Sequence, residues 1–396
     1  MIRTLTVLSL FILVLNANVI KYYKIIVDTL QYDKTYSLYK QVNDIFKESV
    51  RYNRYTNFSL DATYSSTKAK ILNSAFNTTD VAINDTLDLF GKGSYRVEEL
   101  SLNLKARKSS LNLQKEQLFI TLINMLCSYH RLDKQLALHK QLLRELELIY
   151  NKLQKLQHSG AIASIDLLRF KNILTPLKIK IISEVSQLSK MKKQLHLYAP
   201  NQDIATLDDT KILYDKEDFL THHPSSQLNE IDAQILHTQA KSMSHIYLPD
   251  IRAGMTYQQL GDPTAYGDNY SFNIALHMPL NGGDFKQAEA LNAKALAQKS
   301  KAIQYKINRD NQYTQLYEDY QNAQQQLIVL RKSLKDYNKS EDTIKKAFLQ
   351  QYVDFNTYLQ VLTQALNIKE QIITMEYQKR SKAAIINSIA SGKIYE

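Results

Sequence analysis

The chain has 396 residues, with 50 Lys and Arg against 39 Asp and Glu, a formal charge of +11. Only 9 Gly and 6 Pro occur, so the chain turns seldom, and long uninterrupted elements are expected in place of several small globular domains. A single cysteine, Cys127, excludes an internal disulfide framework and any multi-cysteine metal site, and 22% charged residues without a basic cluster give no nucleic-acid signature.

Met1–Leu15 carries Arg3 and then an apolar run, Leu5–Leu15, broken only by Thr6 and Ser9. The run is shorter than the ~20 residues of a membrane helix and suits a signal peptide over 1–17, cleaved near Ala17. An anchor left uncleaved is the competing reading. No Cys follows the run, so a lipid-modified amino terminus is not expected, and no later stretch reaches ~18 apolar residues. Export is implied.

A first pair of alternating segments follows: Phe58, Leu60, Ala62 and Tyr64, then Val81, Ile83, Leu87 and Leu89, joined by a polar Ser/Thr/Asn loop. From Leu118 the period changes. Leu122, Met125, Tyr129, Leu132, Leu136, His139, Leu143, Leu146, Tyr150 and Leu153 recur in alternating steps of four and three, a coiled-coil pattern. No Gly or Pro lies between Ser94 and Ser159, and a helix of that length measures ~100 Å. His139 in this stripe reads as a packed histidine and not a ligand, and Cys127 as a small buried hydrophobe. Beyond a turn at Ser159–Ser164 the pattern resumes through Phe170, Leu174, Leu177, Ile181, Leu188, Met191, Leu195 and Tyr198. Glu184 is out of character there, and Pro176 is expected to kink or loosen the helix.

A second strand pair reads from Ile251, Ala253, Met255 and Tyr257, a loop Leu260–Asp268, and a strictly alternating Asp268–Leu280. Tyr270, Phe272, Ile274, Leu276 and Met278 form one face, set against Ser271, Asn273, Ala275 and His277. That is the apolar-out, polar-in code of an outer-membrane strand, so the first face is expected to meet lipid. Two further long helices follow, with Glu341 as the exception in the stripe from Tyr313 to Phe348 and a reversal inside Gln350–Asn356. Val81, Ile83, Leu89 and Gly160 each shift by 191 residues onto Phe272, Ile274, Leu280 and Gln351, which marks an internal duplication.

The expected fold is mainly α with membrane β, each half reading strand, strand, long helix, long helix. The first repeat spans 18–198, with short amino-terminal helices, a hairpin at about 56–90 and helices at about 94–158 and 164–198. A linker with a short helix spans 199–246. The second repeat spans 247–396, with a hairpin at about 249–280 and helices at about 284–350 and 355–390. Four strands cannot close a barrel, and an open edge is not tolerated in lipid, so closure requires oligomerisation. Three chains supply a twelve-stranded barrel continued by a helical tube. The soluble alternative is an ordinary sheet in a long α+β protein.

The arrangement resembles the TolC family of outer-membrane efflux proteins over nearly the whole mature chain. The resemblance rests on Asp85–Gly93 (DTLDLFGKG), His277–Asp284 (HMPLNGGD), Tyr247–Asp250 (YLPD), His223-Pro224-Ser225, Ser159–Leu168 (SGAIASIDLL) and Val353–Leu362 (VDFNTYLQVL). It implies a homotrimeric exit duct in the outer membrane, with a long periplasmic portion that docks onto a periplasmic adaptor and an inner-membrane pump of RND or ABC type. Asp28–Val50 and about Ala199–Lys241 would form an equatorial collar. Docking would use two helical tips: Gly160, Ala161, Ile162, Ala163, Ser164 and Asp166, and Gln351, Tyr352, Val353, Asp354 and Phe355. Gln351 stands where the first tip has Gly160, so the tips are not equivalent. Ser164 is a candidate cap for its helix. The family's acidic ring falls by register on Gln360, not an acid; Asp166 and Asp354 are the candidate lumen carboxylates. Opening by untwisting the second helix pair is the family mechanism, and the seams at Glu341 and near Lys369 are the interruptible positions.

Nothing supports catalysis. Nine histidines are scattered, HExxH, GxSxG and Walker-type loops are absent, and seven methionines are dispersed, so no cofactor or metal is expected. Alternatives are an outer-membrane channel for type I protein secretion and a periplasmic coiled-coil adaptor.

Overall fold

The computed structural model describes residues 17–55, 57–69, 74–88, 91–158, 164–245, 248–262, 265–278, 282–350 and 352–396. The signal peptide expected at 1–17 therefore lies outside the described residues except for Ala17. The elements in chain order are α1 (Ala17–Thr29), α2 (Tyr32–Tyr55), β1 (Phe58–Ala69), β2 (Ser74–Leu87), α3 (Lys92–His158), α4 (Ser164–Tyr198), α5 (Lys216–Thr221), α6 (Pro224–Ser244), β3 (Asp250–Asp262), β4 (Ala265–His277), α7 (Gly282–Leu349) and α8 (Phe355–Ala390).

The duplicated strand–strand–helix–helix order is present, and the long helices begin and end within about two residues of expectation. The strands differ more. β3 and β4 are 13 residues each and run to Asp262 and from Ala265, so residues 260–268 are mostly strand where a loop was expected. The ladder pairs Leu260 with Gly267 and Gly261 with Tyr266, and the two glycines expected to make the turn lie in the strands. The helix opened by Pro224 is 21 residues, not short. Proline at a first helical position loses no hydrogen bond, which suits this start. Helix α4 continues through Pro176.

The chain forms two compact units. The first comprises residues up to Tyr32, Asn112–His223 and Ile307–Glu396. Its main core joins Tyr23 and Ile26 of α1, Phe119, Ile123 and Leu126 of α3, Leu195 of α4, Phe219 of α5, and Ile386 and Ile389 of α8. Tyr23 meets Phe119 edge to face at 5.2 Å and donates to the Lys115 carbonyl at 2.8 Å. The last turns of α8, Ala383–Ala390, are buried on every side, which small residues permit. Asn387 inside them is satisfied twice: Nδ2 donates to the Lys211 carbonyl at 2.8 Å, and Oδ1 accepts from Leu213 N at 2.8 Å.

The second unit comprises Asp33–Leu111 and Pro224–Lys306. It holds one antiparallel sheet in the order β1-β2-β3-β4. The passage from β2 to α3 is built by Asp88, whose carboxylate accepts from Lys92 N at 3.0 Å and Gly93 N at 2.7 Å, an N-terminal cap. Gly91 there has φ 75, a left-handed conformation that favours glycine.

Candidate functional site: a two-faced sheet, two helical tips and a buried ion network

Along β4 the side chains alternate as a strand requires. Tyr270, Phe272, Ile274 and Leu276, with Met278 just past the strand, are all exposed, at 49% to 72%. Phe58, Leu60, Tyr64, Ile83 and Met255 extend the exposed apolar row across β1, β2 and β3. The register places Met255 opposite both Ile83 and Phe272, so the row lies on one face. The other face is polar. Asn84 Nδ2 donates to Asp61 Oδ2 at 2.9 Å, and Gly254 lies between Asn84 and Asn273, with the carbonyl oxygens of both side chains against its open face. Glycine in a strand interior is costly unless a close approach requires it, and here two amides converge on it. Among the described residues β1 and β4 each have one strand neighbour, so each leaves an edge with no strand beside it.

Of the tip residues, Gly160, Ala161, Ile162, Ala163 and Gln351 lie outside the described residues. Ser164 is the first residue of α4, and its hydroxyl accepts from Gln157 Nε2 at 3.3 Å. Asp166 lies in the first turn of α4. At the second tip Asp354 caps α8: Oδ1 accepts from Thr357 N at 2.7 Å and Oδ2 from the Thr357 hydroxyl at 3.2 Å. These donors hold its carboxyl below the usual carboxylate range. Sequence reasoning gave the cap to Ser164 and missed Asp354, although an Asp three residues before Thr357 at a helix start is the signal for it. Tyr352 is 81% exposed, and Ile165 and Leu168 are exposed beside the first tip. Phe355 is half-buried.

The residues flanking both reversals share one aromatic and aliphatic cluster. Leu146, Ile149 and Leu153 of α3, Phe170, Leu174 and Leu177 of α4, Phe348 of α7, and Tyr358 and Leu362 of α8 compose it. Phe348 stacks on Tyr358 at 4.8 Å, and Phe355 meets Phe170 at 5.5 Å. Four helix ends are thus fixed to one another, and burial raises the Tyr358 phenol well above its ordinary range.

His139 is buried, as expected, but it is not an isolated packed ring. Its Nδ1 faces Glu184 Oε2 at 2.8 Å and its Nε2 faces Glu370 Oε1 at 2.5 Å, while Lys180 Nζ lies 2.7 Å from the same Glu370 oxygen. Glu184, out of character in the α4 stripe, is therefore the partner of the one histidine in the α3 stripe. The hydrogen bond to Glu370 leads in raising the imidazole above its ordinary value, against desolvation. Its reciprocal leads in lowering Glu370 to about 2. A protonated ring donating to two carboxylates accounts for both shifts. Similarly, Glu341 and Lys369, noted separately as seam positions, pair with each other at 3.3 Å. Gln360 of α8 is exposed.

A second buried charge pair was not legible. Arg309 of α7 donates from both terminal nitrogens to the Glu116 carboxylate of α3, and from Nη2 to the His222 carbonyl at 2.9 Å. The Tyr395 hydroxyl donates to Glu116 Oε2, which also accepts from Arg309 Nη2. The Arg309 guanidinium also lies 4.2 Å over the Phe219 ring. No periodic pattern distinguishes these charges in the sequence.

Over most of its length the chain has the topology of solved outer-membrane proteins. CusC, whose crystal structures describe folding and transmembrane channel formation, superposes with a TM-score of 0.76 at 12% identity over 94% of this chain and 92% of that one. The chain has the fold of the outer-membrane channels. VceC, an outer-membrane protein of Vibrio cholerae, gives 0.74 at 13% identity over 94% and 96%. The CmeC outer-membrane channel of Campylobacter jejuni gives 0.69 at 13% over 96% and 86%. No family model and no curated protein matches the sequence. The fold that the resemblance to the TolC family implied, a duplicated strand–strand–helix–helix chain, is the fold observed. A coiled-coil adaptor would carry one helical hairpin and not this duplication. Among the described residues no helix is long and apolar enough to cross a membrane.

Proposed function

We propose that the chain is one protomer of a homotrimeric outer-membrane exit duct, whose four strands join those of two further copies in a twelve-stranded barrel continued by periplasmic helices. The observation that carries this reading is the sheet: one face apolar and exposed, the other polar, and, among the described residues, no further strand beside either edge. In hydrocarbon such edges must be paired, and copies of the same chain supply matching ones. The likeness to channel structures supports the same reading.

In this assembly Tyr270, Phe272, Ile274, Leu276 and Met278 face lipid, and Asp61, Asn84 and Asn273 face the water-filled lumen. A periplasmic adaptor docks on the two helical tips, with Ile165, Leu168 and Tyr352 as exposed apolar contacts beside them. Substrate enters from an inner-membrane pump of RND or ABC type, and the duct carries it across the periplasm and the outer membrane without chemistry. Asp354 serves its own helix first, so a lumen-facing charge there comes with a capping role. Reconstitution into planar bilayers tests the reading. The protein is expected to give discrete ion-conducting events, and persistent failure of detergent-purified, helical protein to insert or conduct would overturn it.

A further inference from the structure

Helices α3, α4 and α8 share apolar clusters at two levels, with a charged level between them. The main core reaches Tyr129 on α3, Leu195 on α4 and Ile373 on α8, and the tip cluster reaches Leu142, Ile181 and Leu362 on the same three helices. In the interval Leu136 and Ala365 are buried but belong to neither cluster. The polar side chains that meet there are His139, Glu184 and Glu370, one from each helix. His139 and Glu184 are buried, and Glu370 is half-buried. Nearby, Leu138, Leu142 and Glu145 of α3, Glu341 of α7, and Leu366 and Lys369 of α8 line a cavity of about 30 Å³, room for little more than one water. Between two apolar levels, the connection of α8 to its neighbours is thus ionic and less tightly packed.

The protonation state of the ring decides how many helices it ties. A protonated imidazole has two N–H donors, and here they face Glu184 Oε2 on α4 at 2.8 Å and Glu370 Oε1 on α8 at 2.5 Å. A neutral imidazole has one donor and one lone pair, so one carboxylate must then face a lone pair in a buried seam. Glu370 is the one that leaves. It has a second cation, Lys180 Nζ at 2.7 Å, and lies nearer water, whereas Glu184 is 9% exposed and takes its charge partner from the ring. Lys180 is 47% exposed, so the tie it keeps to Glu370 is a weak, screened surface pair. The other charges close by are paired among themselves: Lys369 with Glu341 at 3.3 Å and Lys345 with Glu145 at 4.0 Å. The Glu370 hydrogen bond leads in raising the imidazole, so its proton outlasts the ordinary value of about 6.5 and is lost as pH climbs beyond it.

We propose that His139 is a proton-operated joint: the protonated ring clamps α8 to α3 and α4, and the neutral ring frees α8 between the two apolar clusters, so that the duct conducts more readily in alkaline than in neutral surroundings. The inference rests on the exit-duct reading and adds a regulation to it. The clusters above and below carry no charge that changes over this range, so they hold at both pH values and confine the movement to the interval. In the duct α8 is part of the wall, and a wall segment held only at its ends admits wider excursions than one clamped at its middle.

Paired spin labels on the full chain test the joint, and single-channel recording tests its consequence. In a Cys127→Ala background, Arg144→Cys on α3 and Gln364→Cys on α8 carry the labels at exposed positions. From about pH 6 to about pH 9 the α3–α8 distances are expected to spread toward longer values and conductance to rise, with a common midpoint. Glu370→Gln keeps an acceptor for the ring but removes the leading charge, so it should lower that midpoint by about one pH unit. His139→Leu should remove both pH dependences, and if that variant fails to fold, Glu370→Gln decides alone. Distances that stay constant, or a midpoint that Glu370→Gln leaves in place, overturn the joint while a conducting protein keeps the duct standing. Distances that titrate beside a conductance that does not overturn its control of the duct. Distances that titrate in a protein that never conducts uphold the joint and overturn the duct reading beneath it.

Discussion

Replacing His139 with Leu removes a cation that two carboxylates share, and the cost follows from their burial. The ring is 1% exposed and Glu184 is 9% exposed, whereas Glu370 is 23% exposed and retains Lys180. Glu184 is thus the group left charged in an apolar seam, and breaking one partner of a buried pair costs about 3–5 kcal/mol. His139→Leu is expected near the low end, about 3 kcal/mol, because Glu370 keeps Lys180 as a partner. Adding Glu184→Leu should recover at least half, since a buried pair replaced by apolar groups is often neutral. The sign of the pH dependence is fixed by the two shifts. Glu370, lowered from 4.5 to about 2, contributes fully above about 4.5 and loses its contribution as pH falls toward 2. His139, raised above 6.5, contributes fully below 6.5 and loses its contribution as pH climbs through the higher folded value. Urea titration followed by circular dichroism, repeated across this range, reads both limbs. His139→Leu should abolish the alkaline decline. A single variant that costs under about 1 kcal/mol, or a double variant worse than the sum of its parts, would refute the network.

On β4, Ile274→Arg should cost about 2–4 kcal/mol and sharply lower recovery from outer-membrane fractions, whereas Asn273→Arg on the opposite face should be recovered nearly as wild type; equal recovery would reverse the faces. Arg309→Met leaves Glu116 without its cation and should lower the unfolding midpoint strongly; Tyr395→Phe removes one hydrogen bond, about 1–2 kcal/mol. Asp354→Ala removes the α8 cap and should cost about 1 kcal/mol, read as faster proteolysis near the second tip, while Ser164→Ala should cost less because Ser164 is not seen capping a backbone amide.

The long helices were legible because their signal is repeated many times. No member of the α3 stripe from Leu118 to Leu153 is exposed, since each position in a heptad pattern is a separate vote for the same face. The strands were legible in their centres but not at their ends. Gly261 and Gly267 read as turn residues, yet a strand in a twisted sheet admits glycine, and only the ladder distinguishes the two. Glu184 and His139 were each visible as exceptions to their stripes, but their pairing depends on how α3 and α4 align, which periodicity within one helix does not encode. Glu370, Arg309 and Glu116 carried no signal, since a charge in a helix usually faces water and only packing reveals that these do not. The tip residues were singled out by resemblance and by the reversal itself. Burial then added the cluster of Phe170, Phe348, Phe355 and Tyr358, which ties the two tips together.

The central claim is that the apolar sheet face and open edges belong to a membrane barrel shared by three chains. Native mass spectrometry of the protein extracted from outer membranes in detergent measures this directly. The account predicts a single dominant species of three chains that persists until the detergent is stripped or the protein denatured. A monomer recovered from the soluble fraction, with helical content intact, would contradict it.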